Sequence, residues 1–118
     1  MYLKTLLNGN KIVTNVIESG KLNLEQMQDE IGCRTIDIVN LNDNIAIICD
    51  DEGLLVANNP VYSIIDDNGN ERQIAGTFLI AKDVMTEDGP DARGFDNLKE
   101  ARELMGTTKI SVIGVTAI

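Results

Sequence analysis

The sequence predicts an α+β fold, in which hairpins build a small, mostly antiparallel sheet accompanied by two short helices. Three observations predict this class. Short runs rich in Val and Ile alternate with turn residues along the chain. Two segments carry helix-capping residues and apolar residues at helical spacing. The 118 residues, of which 43% are hydrophobic, suffice for one modest core, so we expect a single domain spanning residues 1–118.

The first predicted element is a hairpin. The β-prone runs 2–7 and 11–17 flank Asn8-Gly9-Asn10. Asn-Gly between such runs is a strong signal for a tight turn, because both residues tolerate a positive φ. We therefore expect two antiparallel strands at the start of the chain.

A short helix should follow. Asn23 stands three residues before Gln26, which is the spacing of a capping box. Gly32 suits the C-terminal cap, since glycine accepts the left-handed conformation that ends many helices. Three apolar residues share one helical face: Leu24, Met27 and Ile31.

The central hairpin is the most informative stretch. Two apolar runs, 36–41 and 45–49, flank Asn42-Asp43-Asn44, whose residues favour turns. With a two-residue loop, Ile36 lies opposite Cys49 and the apolar side chains gather on one face. The other face is then mixed and only partly covered. A three-residue loop gives the alternative register.

The middle of the chain predicts a third hairpin followed by a loop. Strands 61–65 and 74–81 are joined by a turn at 66–70. From residue 83 to 95 the composition changes to charged residues, Gly and Pro, which is typical of a mobile loop that a partner can order.

The last elements are a helix and a strand. Asp96 or Asn97 can cap a helix at 98–105, in which Leu98, Ala101 and Met105 are spaced for burial. The β-branched run 109–118 predicts a final strand. If that strand lies at a sheet edge, it can pair with a copy of itself, so the chain is expected to be a monomer or a homodimer through this strand.

Composition excludes several classes of function. The net charge of -9 argues against direct binding to nucleic acid or to an anionic membrane, which both select Lys and Arg. The chain lacks His, the usual general base, and we expect no enzymatic activity. It also shows neither a signal-peptide pattern nor an apolar run that spans a bilayer, so we expect a cytoplasmic protein.

Acidic residues are the candidate binding groups. One cluster ends the second strand of the central hairpin, and the other lies in the predicted loop. Because carboxylates attract Lys and Arg, we predict that both clusters contact a protein partner with a basic surface. The alternative for the first cluster is a solvated turn, where charge is common. The predicted contact residues are Asp50, Asp51, Glu52, Glu87, Asp88 and Asp91.

The two cysteines raise the question of a metal or a disulfide. Zinc coordination would require Cys33, Cys49 and Asp50 or Asp51 to converge, in a chain without CxxC spacing or His. In the three-residue-loop register the cysteines lie roughly 12 Å apart along the ladder, beyond disulfide reach. We expect buried, reduced cysteines and no cofactor, with zinc as the alternative.

Five motifs in the first two thirds of the chain resemble the family named domain of unknown function 3846. They are Leu24, Gln28 and Gly32 at spacings of four, GCxxIDIV at 32–39, IICDDEGLL at 47–55, Asn59-Pro60-Val61 and AGTFLIA at 75–81. The resemblance runs from Leu24 to Lys82 and omits the strand 109–118. It implies an accessory protein of phages, plasmids and other mobile elements, without an assigned activity or catalytic residue.

Three functions follow as hypotheses. The leading one is a counter-defence inhibitor of the anti-CRISPR type, whose carboxylates compete with nucleic acid for a basic channel of a host nuclease, in the host cytoplasm. The second is a protein that sequesters a nucleotide signal, which needs Lys and Arg to converge on a pocket; Arg34, Arg72 and Lys82 are scattered in the sequence. The third is a structural domain stabilised by zinc at Cys33 and Cys49.

Overall fold

The computed structural model describes residues 1–117, which form nine strands, two α-helices and one 3-10 turn. The strands are β1 Tyr2–Asn8, β2 Lys11–Ile17, β3 Ile36–Asn40, β4 Ile45–Asp50, β5 Pro60–Ile65, β6 Glu71–Ala75, β7 Phe78–Thr86, β8 Gly89–Arg93 and β9 Lys109–Val115. The helices are α1 Leu24–Ile31 and α2 Leu98–Met105, and the 3-10 turn is Gly53–Leu55.

The strands form two antiparallel sheets rather than the single sheet predicted. The larger sheet has the order β2-β1-β7-β4-β3, with β8 paired to β7, and the smaller has the order β6-β5-β9. One buried cluster draws side chains from both sheets and from α2, and a second lies between the larger sheet and α1. The predicted α+β class with two helices is thus confirmed, with an added layer. Neither helix in the described chain has the length and apolar run needed to cross a membrane.

The predictions of the first hairpin and of α1 are confirmed, because both elements depend on interactions between residues close in the sequence. β1 and β2 pair in full from Tyr2 opposite Ile17 to Asn8 opposite Lys11. The Asn23 side chain accepts a hydrogen bond from the Gln26 N–H at 2.8 Å, and the Gln26 side chain accepts from the Asn23 N–H at 2.9 Å. Met27 is buried, whereas Leu24 is exposed, so the buried face of α1 is narrower than predicted.

The central hairpin has the three-residue loop, and the two-residue register was wrong. Asp37, rather than Ile36, lies opposite Cys49. The cause is the Asn42 side chain, whose amide oxygen accepts hydrogen bonds from the N–H groups of Asn44 and Ile45 at 2.8 and 2.9 Å. This side-chain turn adds one residue to the loop. Moving the register by one residue turns every side chain of β3 to the other face relative to β4.

β4 is buried on both faces, which corrects the prediction of a partly covered side. Ile45, Ile47 and Cys49 belong to the cluster between the sheets, while Ala46 and Ile48 belong to the cluster beneath α1. The strand is central in its sheet, with β3 on one edge and β7 on the other. A central strand covered by two layers is apolar without alternation, as its IAIIC sequence is.

The predicted strand 74–81 is divided in two by Gly76. This glycine has a φ of 88°, a left-handed conformation that disfavours other residues. A Cβ at this position would also lie 2.8 Å from the Asn59 side-chain amide nitrogen. The chain therefore leaves the smaller sheet after β6 and enters the larger sheet as β7.

The predicted mobile loop 83–95 is mostly a hairpin. β7 continues to Thr86, and β8 returns against it from Gly89. Two apolar residues within the charged stretch anchor this arrangement, since Ala92 and Phe95 are buried in the two clusters. Burial of these residues outweighs the loop-like composition around them.

The C-terminal elements follow the prediction in outline. Asn97 caps α2 by accepting a hydrogen bond from the Glu100 N–H at 2.9 Å, and Ala101 is buried. Leu98 is exposed, contrary to its predicted burial. β9 pairs with β5 and lies at the edge of the smaller sheet, while the last residue of the predicted strand, Ile118, lies outside the described residues.

Candidate functional site

The acidic corner, defined as Asp50, Asp51 and Glu52, is built by the end of β4. The Asp50 carboxylate accepts a hydrogen bond from the Glu52 N–H at 2.9 Å, which turns the chain at once. The Asp51 N–H donates to the carbonyl of Thr35 at 3.2 Å and keeps the corner attached to the strand beside it. The corner is thus held by one hydrogen bond to the Asp50 side chain and one between backbone groups.

Glu52 differs from its two neighbours because its charge is compensated. The Arg34 guanidinium lies 3.2 Å from one Glu52 carboxylate oxygen, and the Thr35 hydroxyl lies 3.3 Å from the same oxygen. Asp50 and Asp51 take part in no ion pair among residues 1–117. The uncompensated charge of the corner therefore lies on the two aspartates.

An acidic cleft of about 180 Å³ opens beside the corner. Its carboxylates come from Asp37, Asp50 and Asp51, and its apolar walls include Leu54 and Ile74. Asp37 reaches the cleft because the three-residue loop places it opposite Cys49. Within the described chain Asp37 also forms no ion pair. Three uncompensated carboxylates therefore converge at one end of the larger sheet.

The Cys49 thiol, which also lines this cleft, responds to that negative potential. Burial is the largest cause that raises the pKa of Cys49 to about 12, and the charges of Asp37, Asp50 and Asp51 follow as smaller causes, in that order. The thiol donates to the Asp37 carbonyl oxygen at 3.6 Å. Both causes disfavour the thiolate, so Cys49 is protonated at neutral pH.

Exposed apolar side chains adjoin the acidic cleft. Leu54 and Leu55 on the 3-10 turn are 66% and 69% exposed. The turn is fixed at both sides: the Asn59 side-chain amide donates to the Gly53 carbonyl at 2.9 Å, and the Thr116 hydroxyl donates to the Val56 carbonyl. We call Leu54 and Leu55 the leucine pair. Together, the acidic cleft and the leucine pair present charge and apolar area on a rigid support.

The second predicted acidic cluster lies at the opposite end of the larger sheet. Glu87 and Asp88 form the turn between β7 and β8, whereas the antiparallel ladder of β4 and β7 places Asp50 near the start of β7. Nine residues of β7 separate the two ends by roughly 25 Å, at about 3.3 Å per residue. Both turn residues are exposed. The six predicted contact residues are therefore not brought together on one surface.

Asp91 belongs to neither surface because its carboxylate is paired with two cations. Its carboxylate lies 2.8 Å from the Lys21 ammonium and 3.1 Å from the Arg93 guanidinium. The hydrogen bond from Lys21 is the main cause that lowers the pKa of Asp91. A carboxylate with two cationic neighbours has little charge left to offer a partner.

The residues proposed for zinc are not gathered into a ligand group. Cys33 is partly exposed after the end of α1, and Cys49 is buried in β4; both thiols are free. Among residues 1–117, no group of three or more His, Cys, Asp or Glu side chains is arranged to hold a metal ion. The Asp50 carboxylate is engaged by the Glu52 N–H instead. Zinc binding stays a prediction without a preformed site among the described residues.

The cations proposed for a nucleotide site are also separate. Arg34 pairs with Glu52, and Arg72 on β6 donates to the carbonyl of Glu71. Lys82 lines a cleft of about 730 Å³, but its ammonium lies 2.9 Å from Glu100. No set of unpaired cations thus converges on this cleft in the described part of the chain.

Sequence reasoning identified the corner and missed two parts of the surface. Asp37 was not among the predicted contact residues, and the loop length that places it opposite Cys49 is set by the Asn42 side chain. The leucine pair was visible in the sequence as Leu54-Leu55 after Gly53, but adjacent leucines are more often buried than exposed. Exposure of both residues is a feature that only the fold reveals.

Comparison with known proteins gives one result. A family model described as a domain of unknown function (DUF3846) matches residues 6–109. The match extends the resemblance seen from Leu24 to Lys82 at both ends and stops at the first residue of β9. Neither the curated proteins nor the solved structures include a match to the chain.

Proposed function

We propose that this chain, which belongs to the DUF3846 family of domains of unknown function, is a non-enzymatic accessory protein of a phage or mobile element that inhibits a host defence protein. It binds its target through the acidic cleft and the leucine pair. The single observation that supports this proposal is the convergence of three unpaired carboxylates beside two exposed leucines. Such a surface fits a basic protein better than any other class of partner.

The two parts of the surface have different roles in binding. Unpaired carboxylates attract a basic target from a distance and orient it, which raises the association rate. Exposed leucines lose contact with water on binding and contribute affinity, as the buried centre of an interface does. A defence nuclease offers the matching surface, because the channel that holds nucleic acid is lined by Lys and Arg. When the acidic surface of this chain binds in that channel, nucleic acid is excluded from it.

The chemistry at the cleft favours binding over catalysis. A nucleophilic cysteine requires a depressed pKa, whereas burial and three carboxylates hold the pKa of Cys49 near 12. Asp37 and Asp51 are exposed and Asp50 is partly exposed, and no cation among residues 1–117 forms an ion pair with any of them. The charges therefore serve recognition in this proposal.

The test is a phage-infection assay in cells that carry a panel of defence nucleases, with and without the chain. We expect the wild-type chain to restore infection against at least one nuclease and to co-purify with it. The double variant Asp50→Asn/Asp51→Asn should lose at least about tenfold in affinity. The matched control Glu87→Gln/Asp88→Asn removes the same charge at the other end of the sheet and should bind normally.

A second pair of variants separates the apolar contribution from the charge. Leu55→Ser should weaken binding, and Leu24→Ser, which changes an equally exposed leucine on α1, should leave binding unchanged. The proposal is wrong if no nuclease is inhibited or captured. It is also wrong if both charge variants, or both leucine variants, act alike.

A further inference from the structure

We propose that Asn8 is a site of spontaneous deamidation, at which the side-chain amide becomes the carboxylate of aspartate or isoaspartate. The chain contains two Asn-Gly pairs, Asn8-Gly9 and Asn68-Gly69, and both are exposed where two strands are joined. Their surroundings differ in two respects that control this reaction, which are hydrogen bonding and charge. The proposal does not depend on the function proposed above.

The reaction joins the side chain of an asparagine to the backbone nitrogen that follows it. The Gly9 nitrogen forms a bond to the Asn8 side-chain Cγ, the bond from Cγ to Nδ2 breaks, and ammonia leaves with the proton that Gly9 gives up. Water then opens the five-membered ring, either at Cγ, which gives aspartate, or at the backbone carbonyl carbon, which gives isoaspartate. Glycine favours the ring closure because it has no side chain to obstruct the attack.

The backbone at Asn8-Gly9 carries few constraints against this attack. Asn8 is the last residue of β1 and lies opposite Lys11, so Gly9 and Asn10 alone form the loop. Among residues 1–117, the Gly9 N–H donates to no backbone carbonyl. The end of a hairpin opens at a small cost in free energy. The Gly9 nitrogen can therefore attack without first breaking a backbone hydrogen bond.

The second pair, Asn68-Gly69, is held more firmly. The Gly69 N–H donates to the Asp66 carbonyl at 3.1 Å, and the Asn68 N–H donates to the Asp66 carboxylate at 3.0 Å. The attacking nitrogen is thus already engaged, and the residue that it must attack is fixed by a second hydrogen bond. Loss of the Gly69 proton breaks the first of these bonds, which slows ring closure.

Charge acts in the same direction as hydrogen bonding. The glycine nitrogen attacks after losing its proton, so negative charge develops on the backbone; a nearby cation stabilises it and a nearby anion opposes it. Lys11 lies opposite Asn8 and forms no ion pair in the described chain. Asn68 instead directly follows two acidic residues, Asp66 and Asp67.

The two products change the first hairpin in different ways. Aspartate keeps the backbone of the turn and places a carboxylate opposite Lys11. Isoaspartate adds one methylene group to the backbone, which disturbs the register that a two-residue loop sets. Each product also adds one negative charge to a chain of net charge -9, so ion exchange separates the modified chain from the unmodified one.

The test is peptide mapping by mass spectrometry of the purified full chain after incubation in mildly alkaline buffer. In the folded chain we expect Asn8 to deamidate at least about fivefold faster than Asn68, which is the effect of one hydrogen bond on a rate. The variant Lys11→Gln changes an exposed residue and should slow the reaction at Asn8 while leaving Asn68 unaffected. Circular dichroism checks that this variant is folded.

Unfolding provides the matched control, because it removes the surroundings of both pairs and keeps their sequences. In guanidinium chloride at the same pH, the rates at Asn8 and Asn68 should become similar. The proposal is wrong if Asn8 stays intact in the folded chain or if Asn68 reacts as fast. It is also wrong if the ratio of the two rates survives unfolding, or if Lys11→Gln leaves the rate at Asn8 unchanged.

Discussion

The Cys49 thiol makes the stability of this fold depend on pH in a predictable direction. Its pKa is about 12 in the folded chain, against 9.0 for the free side chain. The unfolded chain therefore releases this proton first as the pH rises. Stability from the protonated thiol is fully present below pH 9 and is lost between pH 9 and 12, so the free energy of unfolding should fall through that range.

The size of the effect follows from the two pKa values. The difference of 12 − 9.0 = 3 corresponds to about 4 kcal/mol when the titration is complete. At about pH 10.5 the unfolded thiol is largely ionised and the folded thiol is not, which gives a loss of about 2 kcal/mol relative to pH 8. These values apply at low salt, because salt screens the carboxylates of the acidic cleft but leaves the effect of burial.

The assay is urea unfolding of the wild type and of Cys49→Ala under reducing conditions, at pH 8 and near 10.5. Cys49→Ala lacks the thiol, and every other titrating group is common to both proteins. Between the two pH values, the free energy of unfolding of the wild type should fall by about 2 kcal/mol more than that of the variant. Equal losses in the two proteins would refute the assignment of a raised pKa to Cys49.

Three further predictions concern the stability of the described fold. Asn23→Ala removes one half of the capping box of α1 and should cost about 1 kcal/mol in urea unfolding, a result that an unchanged midpoint would contradict. Gly53→Ala places a Cβ 2.4 Å from the Ala75 carbonyl oxygen and should lower the free energy of unfolding by about 1–3 kcal/mol. The control Gly20→Ala has open space around the new Cβ and should be nearly neutral. Similar melting temperatures for the two variants would contradict this reasoning. Hydrogen bonds, the strongest from the Asn70 side chain, lower the pKa of Asp66 to about 2. The stabilisation that the ionised carboxylate provides is present above pH 3.8 and should be lost as the pH falls toward 2. In urea unfolding, Asp66→Asn should therefore lose less free energy of unfolding on acidification than the wild type does.

The parts of the fold that depend on local chemistry could be predicted from the sequence. The Asn23–Gln26 capping box joins residues three apart, so the spacing alone identifies it, whereas the sequence narrowed the cap of α2 to Asp96 or Asn97 and the structure shows Asn97. The register of the central hairpin could not be predicted in this way. Asn42 tolerates either loop length, and only the hydrogen bonds that its side chain makes to Asn44 and Ile45 select three residues.

The remaining differences between the predicted and the observed fold depend on contacts between residues that are distant in the sequence. The stretch 83–95 has the composition of a loop, yet burial of Ala92 and Phe95 in two separate clusters orders it as a hairpin. The same limit applies to the candidate site. The carboxylates of Asp50 and Asp51 were evident from their position after an apolar run, whereas the arrival of Asp37 in the same cleft depends on the hairpin register.

The position of β4 between two clusters has a consequence for how the molecule opens. Its odd-numbered apolar side chains pack toward the smaller sheet and its even-numbered apolar side chains toward α1, so one strand belongs to both hydrophobic clusters. A substitution that destabilises either cluster also destabilises β4 and thereby the other cluster, so the two clusters unfold as a single cooperative unit. The amide hydrogens of β4 should therefore exchange with solvent only when the whole chain unfolds.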